Sequence, residues 1–316
     1  MTKNGYSIPG FINAAMRRSG RTLLVEGTSD YSVLNRLRAE RQASSEKNQG
    51  VIDSVQIISD ENVAGMGNKE RIKAINLHIE NLGNSSILIR KKLATLVDRE
   101  WDNIDLETNF TPAWDAPIQG DSSFTTTGHS IENYFFCPET SSQYLKAFYS
   151  DDLKHDFYVL FSGRFDQISA LASAASLHLK KLGILKKSDG LIDNSCIEWN
   201  IDRYHLNSRF LTFLKNRCIS TSNSTADEIN RITDLLIASK NIQPRCKWLS
   251  HGHIGNQILW ACIGNLATEY GLPENVSTAI EKGSKERKFL SRADSLSKKS
   301  PEERLPLDSV LDWLNG

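Results

Sequence analysis

The stretch "RTLLVEGTSDYSVLNRL", residues 21–37, sets the apolar run Leu23, Leu24 and Val25 directly before Glu26, Gly27 and Asp30. A short apolar run bounded by turn residues reads as a strand buried on both faces, the kind found in parallel sheets. The residues after it, "TSDYSVLNRLRAER" (28–41), place apolar side chains at helical spacing, with Ser29 or Asp30 positioned as cap or first-turn acid. The strand therefore ends on a carboxylate. A half-buried carboxylate is costly unless something positive or hydrogen-bonding meets it.

The same pattern recurs along the chain. "GFINAAMRRSG" (10–20) reads as a short helix before the first strand. "SVQIISDEN" (54–62) reads as a second strand ending in Asp60 and Glu61, and "GMGNKERIKAINLHIENLG" (65–83) opens with glycines and turns helical. "KLATLVD" (92–98) is a third strand, with Asp98, Glu100 and Asp102 at its end; "FTTTGHSIENYFFCPE" (124–139) supplies a last strand and turn. Alternating strands and helices over residues 1–140 predict an α/β domain with a doubly wound parallel sheet. Such sheets carry their functional residues beyond the carboxyl ends of the strands. Three successive strand ends bearing acids are the main functional signal.

From residue 141 to 316 the pattern is mainly helical, in a domain suited to partner docking, dimerisation or substrate binding. "SSQYLKAFYS" (141–150), "FDQISALASAASLHLKKLG" (165–183), "LNSRFLTFLKNRC" (206–218), "ADEINRITDLLIASK" (226–240) and "HIGNQILWACIGNLATEYG" (253–271) all show helical apolar spacing. Strand candidates there are "FYVLFSG" (157–163) and "CIEWNI" (196–201), and the polar, basic run 281–304 reads as solvated surface.

Composition narrows the classes. Of 316 residues, 39% are hydrophobic and 24% charged, an ordinary globular balance. Lys plus Arg and Asp plus Glu are 38 each, so any electrostatic case rests on local patches. Five scattered cysteines, none in a CxxC pair, argue against a zinc cluster or a disulfide framework. "MTKNGYSIPGF" has no apolar leader segment, and no run approaches eighteen apolar residues. The expectation is a soluble, cytoplasmic protein with no membrane partner.

Carboxylates gathered at strand ends suit a hard divalent cation, Mg²⁺ or Mn²⁺, which takes oxygen ligands and keeps positions for water and phosphate. Asp98 and Glu100, two apart, share a side if the strand pattern persists, with Glu26 facing them from a neighbouring strand. Gly27 leaves the approach clear. Asp30 fits a helix cap equally well, and Glu100 and Asp102 lie in "REWDN", already turn-like. Glu132 either completes the acidic cluster or caps a helix. His129 is a candidate for phosphate contact or proton transfer, or a structural histidine. His251 and His253 flank Gly252 in a turn opening a helix, whose N-terminus suits an anion. Lys69 and Arg71 are candidate phosphate contacts, or exposed helix cations. Trp248, Trp260 and Trp313 read as core, with base stacking the alternative.

"LLVEGTSD" (23–30) followed by "LVDREWD" (96–102) resembles the TOPRIM domain, the catalytic module of primases, some topoisomerases and overcoming-lysogenization-defect (OLD) nucleases. The resemblance implies a Rossmann-like parallel sheet. It also implies Glu26 as general acid/base or metal ligand, Asp98 as metal ligand and Asp30 as the trailing acid. Glu100 stands where the family carries a second aspartate, and Asp102 is the rival ligand. Without a nucleophilic-tyrosine domain or a zinc region, nuclease is the branch that remains. "GHSIENYFF" (128–136) and "WLSHGHIGNQIL" (248–259) resemble elements of small TOPRIM proteins found beside ATPases in bacterial defence loci, and within them the effectors of PARIS anti-phage systems. That resemblance implies a toxic, Mg²⁺-dependent (or Mn²⁺-dependent) effector sequestered by an ABC/OLD-type ATPase. It implies further that a phage anti-restriction protein that mimics DNA triggers the release, and that the freed homodimer cuts tRNA. The alternatives are an OLD-like DNA nickase or endonuclease, or a non-catalytic subunit of the ATPase complex.

Overall fold

β1, Thr22–Val25, is buried at all four positions, as an inner strand of a parallel sheet covered on both faces requires. The computed structural model describes residues 5–41, 50–102, 104, 116–220, 222–239, 245–283, 288 and 294–316. Of the basic run 281–304, residues 284–287 and 289–293 lie outside those described. The chain forms two units: Met1–Arg99 with Ala116–Thr127 and Ser297–Gly316, and Glu100–Asp115 with Gly128–Leu296.

In the first unit, β1 is joined by β2 (Val51–Ser54), β3 (Leu93–Val97) and β4 (Ser123–Thr125) in one four-stranded sheet, ordered β2-β1-β3-β4. Every pairing is parallel, and Leu23 lies in register with Ile52 on one side and Ala94 on the other. The unit is α/β, as its sequence predicts. One face of the sheet offers Leu24 and Leu93 to Phe11, Ile12 and Ala15 of α1 (Ile8–Arg17) and to Ile72, Ile75 and Ile79 of α3 (Asn68–Glu80). The chain leaves β1 through α2 (Thr28–Arg41) to reach β2, then passes α3 and the short α4 (Ser85–Arg90) and returns to β3, on the other side of β1. The direction of winding thus reverses between β1 and β3. That is where open parallel sheets bind ligands.

The second strand differs from expectation. It is Val51–Ser54 rather than the run from 54 to 62, because Ser54 Oγ accepts from the Gln56 N–H and turns the chain into a 3₁₀ helix, Val55–Ile57. Asp60 is consequently not at a strand end. It caps the next turn, accepting from the backbone N–H groups of Ile8 at 2.8 Å and Asn62 at 2.9 Å, bonds that hold its carboxyl below the usual range. Two strand ends carry acids, not three. Asp53, inside β2, is paired with Arg18 at 2.5 Å.

The second unit is built on α6, His155–Lys181, whose residues 168–179 are all buried. α5 (Pro138–Tyr149), α8 (Thr225–Ala238), α9 (Cys246–Leu249) and α10 (Gly252–Glu269) pack against it. The expected strand at 157–163 lies inside α6. Phe157, Phe161 and Phe165 recur every fourth residue on its buried face, so helical spacing prevails over their strand propensity. "CIEWNI" does hold a strand, β5 (Ile197–Asn200), paired antiparallel with β6 (Arg203–Leu206). The helix expected after it is α7 (Ser208–Asn216). Trp260 is buried, whereas Trp248 and Trp313 are half-buried. Among the described residues no helix is long and apolar enough to cross a membrane.

Within α3, Ile75 is fully buried and Leu77 is 58% exposed. Ile75→Ala is expected to cost about 2–5 kcal/mol by urea denaturation, and Leu77→Ala within about 0.5 kcal/mol. Equal losses would contradict the packing described.

Candidate functional site

Val25 pairs with Leu96, so the next residue, Glu26, projects where β3 ends. There the backbone N–H of Asp98 donates to Glu26 Oε1 at 2.8 Å. Both side chains are half-buried. The first and third strand ends are thereby joined at the point where the winding reverses. The loop after β3 is held from two further directions. Arg99 N–H donates to Thr126 Oγ1 at 2.9 Å, Thr126 N–H to the Val97 carbonyl at 3.0 Å, and Lys69 Nζ to the Arg99 carbonyl at 3.1 Å.

Lys69 is 3% exposed, so it is not the exposed phosphate contact its place on the helix suggested. Its ammonium is directed to the loop that presents Asp98. Arg71 is half-buried and donates to the Met66 carbonyl at 3.1 Å, within the turn that opens α3. Asp30 is 5% exposed, and its Oδ2 accepts the Gly27 N–H at 2.8 Å. This is the return half of a capping box at the start of α2, so the capping role is the one the geometry displays. A Cβ on Gly27 would meet Asp30 Oδ2 at 3.4 Å and Ser29 Oγ at 3.7 Å, ordinary contacts. The unit's own packing does not demand glycine there.

The strand pattern does not persist from Asp98 to Glu100. β3 ends at Val97, and Glu100 takes a left-handed backbone, φ 55°, a region unusual for a side-chain-bearing residue. Its N–H donates to the His129 carbonyl at 2.7 Å. Glu100 and Asp102 are exposed and belong to the second unit. The expected alternation that would place Glu100 beside Asp98 is therefore absent.

In the second unit, "GHSIENYFF" and "WLSHGHIGNQIL" form one structure stapled by Asn133. Its Oδ1 accepts the Ser130 N–H at 2.8 Å; its Nδ2 donates to the Lys247 carbonyl at 2.5 Å and the Ser250 carbonyl at 2.9 Å. His129 N–H donates to the Trp248 carbonyl at 2.9 Å, and Trp101 Nε1 to the Leu249 carbonyl at 2.9 Å. The approach is close enough to demand glycines. A Cβ on Gly252 would fall 2.4 Å from Ser130 Oγ and 2.8 Å from Glu132 Oε2, and one on Gly128 2.6 Å from the Trp248 ring. Glu132 is half-buried, its carboxylate beside Gly252 at the N-terminus of α10, where the helix dipole favours negative charge. It lines a small pocket with Asn133, Ser250 and Asn256, with room for little more than a water.

The rings of Trp101, His129 and His251 pack edge to face and tilted in sequence, with centroids 4.2 Å and 4.7 Å apart, and His253 follows at 5.7 Å. His129 is 5% exposed, whereas His253 is exposed, with Nδ1 3.7 Å from Asp189. Burial lowers the His251 imidazole from 6.5 to about 4. The neighbouring His253 adds to that shift, and Glu132 and Asp189 oppose it. His251 Nδ1 has no hydrogen-bond partner among the described residues.

Among the described residues no group of three or more His, Cys, Asp or Glu side chains is arranged to hold a metal. The strand ends offer two carboxylates, Glu26 and Asp98, with the first oriented by a backbone N–H. Oxygen donors in that number fit a Mg²⁺ or Mn²⁺ that completes its shell with water and substrate phosphate. Glu132, His129 and the other candidates of the second unit are grouped with one another. The signal that could have joined the two motifs is their glycines, Gly128 and Gly252, each required by close approach of the other segment.

Neither a protein-family model nor a curated protein matches the chain.

Asn133→Ala would strand three backbone partners and is expected to destabilise the second unit by roughly 2–3 kcal/mol; unchanged urea denaturation would contradict the staple. His251 carries a pH prediction. The unfolded imidazole protonates near 6.5 and the folded one near 4, so the unfolded state binds more protons between those values. Stability falls as pH drops through that window, and His251→Gln should flatten this part of the melting-temperature profile.

Proposed function

We propose that this chain is a divalent-metal-dependent nuclease of the TOPRIM type, with its phosphodiester chemistry at Glu26 and Asp98. The observation that carries the reading is the 2.8 Å bond from the Asp98 N–H to Glu26 Oε1, which joins the ends of the two acid-bearing strands where the sheet reverses its winding. Glu26 is held by one oxygen before any substrate arrives, and a preorganised carboxylate does not have to reorient as charge develops. It acts as general base toward the attacking hydroxyl or water. Asp98 is the principal metal ligand, and Mg²⁺ or Mn²⁺ bound there supplies charge stabilisation on the phosphoryl oxygen and an acidified water. Lys69 and Thr126 act by fixing the loop that presents Asp98. Gly27, not demanded by packing, leaves the approach to Glu26 without a side chain.

The substrate and biological setting rest on the sequence resemblance. In this reading the chain is a PARIS-like effector that cuts host tRNA as a homodimer, in the cytoplasm. An ABC/OLD-type ATPase restrains it until a phage anti-restriction protein triggers release.

Purified chain incubated with bacterial tRNA and with plasmid DNA is expected to cut tRNA in Mg²⁺ or Mn²⁺ and not in EDTA. Glu26→Gln should lower the rate about 10²-fold or more. Cleavage of DNA alone would favour an OLD-like nickase. No cleavage by folded protein would favour a non-catalytic subunit of the ATPase complex.

A further inference from the structure

The neutral net charge of the chain conceals a local basic surface on the second unit. α6 ends at Lys181 and is followed by "LGILKKSDG", so the eight residues 180–187, "KKLGILKK", carry four lysines. Lys180, Lys186 and Lys187 are exposed and enter no ion pair among the described residues. Arg217, after α7, folds back onto this segment, its guanidinium donating to the Lys187 and Asp189 carbonyls, the latter at 2.6 Å. Those partners are neutral carbonyls, so the guanidinium charge remains on the surface. Of the nearby acids, Glu228 is held by a two-pronged contact with Arg231, at 2.8 and 2.7 Å; Asp189 accepts from the neutral Gln257 amide and lies 3.7 Å from His253, so one carboxylate stands among these cations.

The surface is continuous with the ring cluster. Lys180 Nζ lies 5.6 Å from the centre of the Trp101 ring, which neighbours His251 and, through it, His253. His253 meets Asp189, and Asp189 leads to Arg217 and Lys187. Lysines at a helix C-terminus do complement the helix dipole, which accounts for Lys180 and Lys181. It does not account for Lys186 and Lys187, which lie beyond α6, whereas Arg217 caps the C-terminus of α7. Like charges crowded on a surface repel, and a polyanion relieves that repulsion by releasing counterions.

We infer that the surface formed by Lys180, Lys186, Lys187 and Arg217 binds the phosphodiester backbone of a nucleic acid. This goes beyond the nuclease reading, because it places substrate holding on residues that take no part in the chemistry. It draws its choice of polyanion from that reading. The contacts are to phosphate, so they position the strand without reading its bases.

The test is equilibrium binding of the full chain in EDTA, where cleavage does not interfere. The probes are a fluorescent tRNA transcript and a DNA duplex of matched charge, titrated at several salt concentrations. The triple variant Lys180→Ala/Lys186→Ala/Lys187→Ala is expected to bind at least about tenfold more weakly. The magnitude of its slope of log K against log salt should fall by about 2–3, the loss of three phosphate contacts. A control triple of exposed lysines elsewhere, Lys91→Ala/Lys154→Ala/Lys282→Ala, should leave affinity and slope near wild type. Weakening of tRNA or of duplex by the first triple alone supports the surface and identifies its ligand. An unchanged slope, equal weakening by both triples, or equally tight binding of polyglutamate would overturn it. The two readings separate cleanly. Salt-sensitive binding through these lysines without any cleavage would overturn the nuclease reading and leave this one standing; cleavage with the first triple at wild-type affinity would do the reverse.

Discussion

The backbone N–H of Asp98 donates to Glu26 Oε1 across 2.8 Å, and the first unit is arranged around that bond. It can form only because β1 and β3 are neighbours in register, with Val25 opposite Leu96. They are neighbours because the chain runs outward through α2 to β2 and then returns past β1. The carboxylate satisfies a backbone donor at the end of β3, and that donor in turn fixes the carboxylate. Lys69 and Thr126 hold the same loop through Arg99, so the position of Asp98 is specified by three separate contacts. A buried ammonium at Lys69 would be costly without such partners. Its presence beneath the loop ties the stability of the sheet edge to the geometry of the acids.

The second unit solves a different problem. Two segments more than a hundred residues apart approach so closely that neither Gly128 nor Gly252 has space for a side chain. Asn133 supplies both an acceptor and donors to that contact, satisfying the backbone of both segments from one amide. The edge-to-face cluster of Trp101, His129 and His251 is closed over by the same approach, and burial lowers the His251 imidazole to about 4. Beyond it, the lysines around the end of α6 and the folded-back Arg217 gather positive charge in excess of the one carboxylate among them, Asp189.

Much of the first unit was legible because its signals are local. The apolar run 23–25 ending on Glu26, and 93–97 ending on Asp98, are strands in the structure as in the sequence. β2 was misplaced because the longer apolar run at 55–58 outweighs "VIDS", whose Asp53 is tolerated in a strand only through its pair with Arg18, a contact thirty-five residues away. The aromatic run at 157–163 carries strand propensity, and only its four-residue repeat against the core makes it helix. Glu100 was placed beside Asp98 by alternation, but the left-handed turn at that residue ends the alternation. The burial of Lys69 is a tertiary fact with no local signature. The same holds for the Asn133 staple, although its glycines mark where two backbones meet.

The claim that Glu26 and Asp98 together form a metal-dependent phosphodiester site is tested most directly by Mn²⁺ binding, measured by electron paramagnetic resonance on the folded chain without nucleic acid. The account predicts one or more sites lost in Glu26→Gln and in Asp98→Asn, with both variants folded by circular dichroism. Mn²⁺ binding unchanged in both variants would contradict it.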